Sequence, residues 1–450
     1  MNILQCDCLV IGAGAAGMMA AITAARKSAG TGKKVIIVEH TEKIGNKILQ
    51  TGNGKCNFTN LDMDEGKYQN EDKSFVKEAL SQFGVYNTIN FFKGIGVYHK
   101  EKNGYVYPNS ETAASLQNAL RLEVEHQKIK VILKFNIRNC RISRDKKFYE
   151  VISDKSLDTM IKAKSLIIAT GSMAAPKTGS DGSGYELAKQ LGHTAVKPLP
   201  ALVQLISDDK VCKMMAGVRS TGKVVLYVDN KECAWDYGEI QYTDYGISGI
   251  PVFQISRFAV KAADSKKKVY AAIDMLTQYS LEELEKDTKI RLGNENYKTI
   301  EEFFCGLLNK KLVSAIARKA NVGINDKVKA VNYKKIMDML KLMKDFRVNI
   351  TGFKPFENAQ ICQGGISLKE INCETMESKL HKGLYFAGEV MDVDGKCGGY
   401  NLQWAWSSGY IAGKNAVSAG NEVVNNKHVK NQSDKVKPKT FKKRNGQGCI

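Results

Sequence analysis

Cys8–Ala25 is an uncharged run of 18 residues, the lower edge of the length that crosses a membrane, and any fold of this chain has to house it. Its glycines decide how. Cys8-Leu9-Val10-Ile11 suits a buried parallel strand, Gly12-Ala13-Gly14-Ala15-Ala16-Gly17 is a glycine turn, and the Ala-rich stretch to Arg26 is a good helix former. In such a unit the first glycine permits the turn, the second lets the backbone approach a pyrophosphate, and the third allows helix and strand to pack closely. The phosphate then meets the N–H groups at the helix start. A lone GxGxxG is weak, but here a second strand, Val35-Ile36-Ile37-Val38, follows the helix and ends in Glu39, 22 residues after Gly17. An acid at that place takes ribose hydroxyls. Strand, helix, strand and acid in this order predict a dinucleotide site rather than a membrane span.

The far end of the chain indicates which dinucleotide. Gly383-Leu384-Tyr385-Phe386-Ala387-Gly388-Glu389 is another apolar strand ending in small residues and an acid. Asp392, Asp394 and a glycine pair follow, and then Asn401-Leu402-Gln403 opens a helix running to about Ala419. A strand-acid-turn-helix unit so late in the chain predicts a discontinuous nucleotide fold with other domains inserted. Two crevice-lining turns hold a ligand longer than NAD. Helix-start N–H groups aimed at an isoalloxazine ring would stabilise the negative charge that develops on its reduction, which points to FAD.

At 450 residues the chain has room for about three units. We expect an α/β fold: residues 1–195 and 355–422 form a discontinuous Rossmann-like domain, 196–276 and 330–354 an inserted antiparallel, barrel-like β domain, and 277–329 a helical insertion. Short β-rich runs such as Val224–Val228 and Lys268–Ile273 support the sheet. Ser280-Leu281-Glu282-Glu283 has capping-box character, and Phe303, Leu307, Leu308 and Leu312 recur on one face beyond it. The eleven Cys form no CxxC and the six His offer no zinc spacing, so no metal is expected. With no signal peptide, these read as reduced thiols of a cytoplasmic protein without a membrane span. The formal charge is +20; Lys427–Ile450 carries eight Lys/Arg and one acid, a basic tail expected to be disordered. That tail, net +7, raises a nucleic-acid partner, but a basic surface around an anionic cofactor accounts for the remaining charge and nucleic acid is not the expected partner.

Several longer motifs bear on family. Besides the GAGAAG turn they are Gly45-Asn46-Lys47 leading to Thr51-Gly52-Asn53-Gly54-Lys55-Cys56-Asn57, Ala169-Thr170-Gly171 with Gly182-Ser183-Gly184, Thr243–Gly249, and Gly398-Gly399-Tyr400-Asn401-Leu402-Gln403. On these the chain resembles the BaiN-like, or aminoacetone oxidase-like, family of bacterial FAD-dependent oxidoreductases, over nearly its whole length to about Gly420. Lys55, Tyr105 and Asp244 depart from the family pattern, where Arg, Arg and His are usual.

The resemblance and the residues together imply that FAD is held by Gly12, Gly14, Ala15, Ala16, Gly17, Glu39, Lys47, Thr51, Gly52, Asn53, Gly54, Asn57, Ala169, Thr170, Gly171, Gly388, Glu389, Asn401, Leu402 and Gln403. Lys47 either neutralises phosphate or sits near flavin N5. The implied activity is hydride transfer through N5. The first substrate class is a conjugated enone, bile-acid or steroid-like, reduced with NADH or NADPH; the alternative is oxidation of a small amine such as aminoacetone with peroxide formed. An FAD protein acting on tRNA is a third class. No second nicotinamide fingerprint is present: Gly179–Gly184 has the wrong order, and the helix after it is expected to be capped by Ser183. NADH or NADPH would therefore dock transiently. Tyr400, Asp244 and Tyr245 are candidates for a catalytic proton donor. Cys56 has no nearby partner for a redox disulfide, and it and Cys397 read first as structural thiols, with flavin tuning as the alternative.

Overall fold

A computed structural model describes residues 2–418. The basic tail Lys427–Ile450 and the end of the 355–422 segment lie outside the described residues.

The uncharged run divides as its glycines require. Residues Asn2–Ile11 form the first strand and Ala15–Lys27 the first helix, with the glycine turn between them. Val35–Val38 pairs parallel to the first strand on one side, and Thr159–Ile168 on the other. Lys130–Ile132 extends the sheet beyond Val35–Val38, and Leu384–Phe386 pairs parallel to the end of Thr159–Ile168. Two antiparallel strands, Tyr149–Ser153 and Ile137–Ile142, complete the opposite edge. Where the parallel strands run side by side, at residues 8–11, 35–38, 166–168 and 384–386, they are apolar throughout, as a sheet buried on both faces requires; Leu9, Val10, Ile37, Leu166, Ile167 and Ile168 are fully buried.

The last helix among the described residues, Tyr400–Ala416, lies against the first helix. Gly409 makes this contact close: a Cβ there would come within 2.5 Å of the Ala16 carbonyl oxygen, and one on Gly413 would collide with the Ala20 carbonyl. Residues from opposite ends of the chain thus build one core around one sheet.

The inserted part leaves and returns through a two-stranded stalk, Ala195–Ala201 against Ile361–Ile366. Beyond it stands a seven-stranded antiparallel sheet in the spatial order Phe346–Ile350, Val269–Asp274, Arg219–Val228, Lys231–Thr243, Gly246–Gly249, Leu205–Ile206, Gly352–Phe353. The first and last of these are separated only by Thr351, so a single segment borders both edges and the sheet curls barrel-like. The helix Ile250–Asp264 packs back on this sheet.

Four helices follow: Leu281–Asn294, Ile300–Phe304, Lys310–Lys319 and Tyr333–Lys344. The capping box at Ser280 is formed: its Oγ accepts from Glu283 N at 3.1 Å, and its N–H donates to Glu283 Oε2 at 2.7 Å. The segment 330–354, assigned by sequence to the β-rich unit, holds the helix Tyr333–Lys344 before its strands begin. Its apolar positions Ile336, Met339, Leu340 and Met343 carry helical spacing, and Asn332 caps it. Among the described residues no helix is long and apolar enough to cross a membrane.

Candidate functional site

A cavity of about 860 Å³ runs along the C-terminal ends of the parallel strands, where open α/β sheets bind ligands. Its floor is the glycine turn. Gly12 has φ +99°, and a Cβ there would lie 2.5 Å from the Ala169 carbonyl oxygen, so strand and turn meet only through glycine. A Cβ on Gly17 would collide with the Gly12 carbonyl. Gly14 differs: its backbone is extended and nothing lies within 4 Å of the place its Cβ would take. Protein packing leaves that position open, and the space beside it belongs to the cavity. The helix it starts has neither a side-chain cap nor an acid in its first turn, leaving its N–H groups for an anion.

Glu39 stands at the end of the second strand with its carboxylate held by backbone: Oε2 accepts from Ala13 N at 2.8 Å and Oε1 from Thr41 N at 3.0 Å. Each oxygen keeps a lone pair for a vicinal diol. Lys47 Nζ pairs with Glu389 Oε2 at 2.7 Å, and Ser172 Oγ donates to the same oxygen at 3.1 Å. Lys47 is thereby committed to a carboxylate on the cavity wall.

Two atoms on the wall indicate a polar ligand. Asn57 Oδ1 and Thr170 Oγ1 are buried with no hydrogen-bond partner, although such groups are ordinarily satisfied. Together with the space over Gly14 and the bare helix start, they fit a dinucleotide laid across the strand ends.

Of the residues assigned to the cofactor from sequence, Gly12, Gly14, Ala15, Ala16, Glu39, Lys47, Thr51, Gly52, Asn53, Asn57, Ala169, Thr170, Gly171, Gly388, Glu389, Asn401 and Leu402 line this cavity. Gly17, Gly54 and Gln403 do not. Gln403 turns inward, donating to Phe83 O and Ser407 Oγ and accepting from Thr59 Oγ1, because a helix start shows only one face to the cavity. The Asn401 amide grips the preceding loop, accepting from Gly395 N and donating to Gly395 O, and the residue borders the cavity. The helix after Gly182 begins at Ser183 with no side-chain cap; Ser183 Oγ instead donates to Asp181 Oδ1 at 2.6 Å.

None of the three proton-donor candidates borders the cavity. Tyr400 is buried behind it against Tyr68, whose hydroxyl donates to Tyr400 O at 2.9 Å. Asp244 and Tyr245 occupy the hairpin turn after Thr243, with Lys354 Nζ 4.0 Å over the Tyr245 ring. Cys56 is fully buried, its thiol pushed up to about 11 by burial, and no disulfide joins any cysteines among the described residues.

The wall also contains residues outside the sequence assignment. Tyr105 and Tyr107 face it from the strand Tyr105–Pro108, while Ile250 and Phe253 reach it from the first turn of the inserted helix and Leu202 from just after the stalk strand Ala195–Ala201. Cys397 belongs to the same wall. Its backbone is clamped by that helix: Cys397 N donates to Gln254 Oε1 at 3.0 Å, and Gln254 Nε2 donates to Cys397 O at 3.4 Å. The alternation Tyr-Val-Tyr is a legible strand signal that two tyrosines share a face.

Behind this loop Asp394 is almost wholly buried, 3.3 Å from the Arg257 guanidinium. Burial lifts its carboxyl from 3.8 to about 7 against the pull of Arg257. The folded chain therefore holds this proton more tightly than the unfolded one, so Asp394 contributes stability below about pH 4 that is lost as pH rises through 7. We expect Asp394→Asn to gain on the wild type by about 2–4 °C in melting midpoint between pH 5 and pH 8. Parallel pH profiles for the two proteins would reject this.

A family model described as the HI0933-like protein Rossmann domain matches residues 6–415. The 3-dehydro-bile acid delta(4,6)-reductase of Clostridium scindens is 39% identical over 408 residues, covering 91% of this chain and 98% of that protein. A ribosomal RNA dihydrouridine synthase of Haemophilus influenzae is 32% identical, covering 89% and 96%. Among solved structures, the 3-ketosteroid-delta4-(5alpha)-dehydrogenase of Rhodococcus jostii RHA1 aligns with a TM-score of 0.47 at 15% identity, over 92% of this chain and 96% of that one.

Proposed function

The chain belongs to the HI0933-like Rossmann family, and on that premise we propose that it is an FAD-dependent oxidoreductase reducing a carbon–carbon double bond conjugated to a carbonyl in a small bile-acid or steroid-like molecule, with NADH or NADPH as electron source. The observation that carries this reading is one continuous cavity whose wall passes from a dinucleotide turn to an apolar, aromatic chamber beside the helix start at Gly399. Bound there, FAD supplies hydride transfer through its N5 atom.

The chain's own residues divide the remaining work. Gly12, Gly14 and the first helix start receive the pyrophosphate, and Glu39 takes the ribose hydroxyls. Asn57 Oδ1 and Thr170 Oγ1 find in the cofactor the partners they lack in the protein. The N-terminus of Tyr400–Ala416 would stabilise negative charge on a flavin ring held beside it. Leu202, Ile250 and Phe253 would offer apolar surface to a ring system. With no second nicotinamide fingerprint in the sequence, NADH or NADPH would dock transiently and not on a domain of its own.

Anaerobic titration tests this reading. NADH or NADPH is expected to bleach the oxidised flavin band, and a 3-oxo-4,6-diene steroid to restore it. No bleaching with either nicotinamide sinks the proposed electron source, and reduction by aminoacetone, with peroxide on admitting air, favours amine oxidation instead.

A second reading rests on charge. Residues 310–344 carry ten Lys/Arg and two acids, with Arg318, Lys327, Lys329 and Lys334 exposed. A uracil ring also presents a double bond conjugated to a carbonyl, so the same chemistry would serve a nucleic-acid substrate attracted by this basic segment, as the name of the Haemophilus influenzae relative suggests. Restoration of the flavin band by uridine-containing RNA but by no steroid would select it.

A further inference from the structure

The helix start that the reading above places against the flavin ring is surrounded by one set of side chains. Gly399 is its N-cap with φ +93°, and a Cβ there would lie 3.0 Å from Asn57 Oδ1. The Tyr105 ring rests on the neighbouring glycine, since a Cβ on Gly398 would lie 2.8 Å from Tyr105 Cε1. Asn60 Nδ2 holds Gly398 O at 2.9 Å, and Gln254 holds Cys397 at both backbone atoms. Tyr107 sits further along, its Cε1 4.0 Å from the Cβ position of Gly52.

Reduction of a conjugated double bond requires a proton as well as a hydride. Around this loop the wall offers Tyr105, Tyr107 and Cys397 as side chains with a proton to give. Burial pushes the Cys397 thiol up to about 11 and raises both phenols, so all three stay protonated near neutral pH. Tyr105 is the central one. It packs on the loop that leads into the helix start, and among the described residues nothing hydrogen-bonds to its hydroxyl. A free hydroxyl on a seated ring at the cavity wall is preorganised to donate.

We propose that Tyr105 is the proton donor of the reaction, protonating the carbon next to the substrate carbonyl while the far carbon of the double bond receives hydride from reduced flavin. This inference rests on the enone-reductase reading. The π bond breaks and two C–H bonds form: one takes the hydride, with the two electrons the flavin loses, and the other takes the Tyr105 proton. The Tyr105 O–H bond breaks, and the phenolate regains a proton from water.

The test uses flavin-loaded protein, reduced anaerobically and mixed with a 3-oxo-4,6-diene steroid. Tyr105→Phe is expected to slow return of the oxidised flavin band by at least about 100-fold, while binding of the steroid to the oxidised protein, read by the shift in the flavin spectrum, changes less than about 3-fold. The wild-type rate is expected to fall at high pH as the phenol ionises, and the variant to lack that limb. An unchanged rate in a folded Tyr105→Phe protein overturns the proposal, as does a 100-fold loss found only in Cys397→Ser. If the wild type itself is not reoxidised by the steroid, the enone reading fails first and the donor assignment falls with it.

Discussion

Gly14→Val is expected to give a folded protein that purifies without the flavin absorbance band. Gly14 has φ −78° and ψ −167°, which valine adopts without strain, and its Cβ position touches nothing within 4 Å. The added branches therefore project into the cavity beside the first helix start, where the pyrophosphate approaches. We expect FAD affinity to fall at least about 100-fold, roughly 3 kcal/mol, with the apoprotein melting within about 2 °C of the wild-type apoprotein. Flavin titration by fluorescence quenching and a melt of both apoproteins decide it. Flavin affinity within 3-fold of wild type would remove the pyrophosphate from this turn. Gly12→Ala is not an equivalent experiment: with φ +99° and the Ala169 carbonyl 2.5 Å from the new Cβ, its damage would fall on the fold as well as on the ligand.

Gly413→Leu is expected to have a comparably large effect through stability alone. The first and last helices approach so closely at Ala20 and Gly413 that a side chain there must push the helices apart. Gly409, one turn earlier, makes the same approach to Ala16. Overpacking at backbone contact costs about 3 kcal/mol or more, so we expect a denaturant midpoint shifted by that amount, with much of the protein insoluble on expression. Because this contact joins the first and last segments of the discontinuous domain, flavin loss should track unfolding in this variant, unlike in Gly14→Val. A loss below 1 kcal/mol would mean the helices can separate freely, contrary to the packing account.

How much of this was legible in the sequence depends on how far apart the cooperating residues lie. The glycine turn, Glu39 and the strand Leu384–Phe386 were readable because each is a local pattern whose spacing is set by the strand and helix repeat. The capping box at Ser280 was readable for the same reason. Less legible was the direction of each side chain at the helix start after Gly399. Asn401, Leu402 and Gln403 are consecutive, yet a helix turns each about 100° from the last. Leu402 therefore faces the cavity, the Asn401 amide holds the loop, and Gln403 bonds Phe83. Tyr400, Asp244 and Tyr245 lie in motifs flanking the site without bordering it, since proximity in a motif does not specify which face is turned to the ligand.

The sequence by itself determined the sheet-and-turn unit, the discontinuity of the domain around its insertions, and the acid at the end of the second strand. Each of these follows from hydrophobic periodicity and from the spacing of the glycines and the acid along the chain. Only the tertiary structure decided the far wall of the cavity, where Tyr105, Leu202, Phe253 and Cys397 arrive from four distant segments. Their meeting depends on the stalk, the curled sheet and the Gln254 clamp closing in three dimensions, and no local repeat in the chain records that closure.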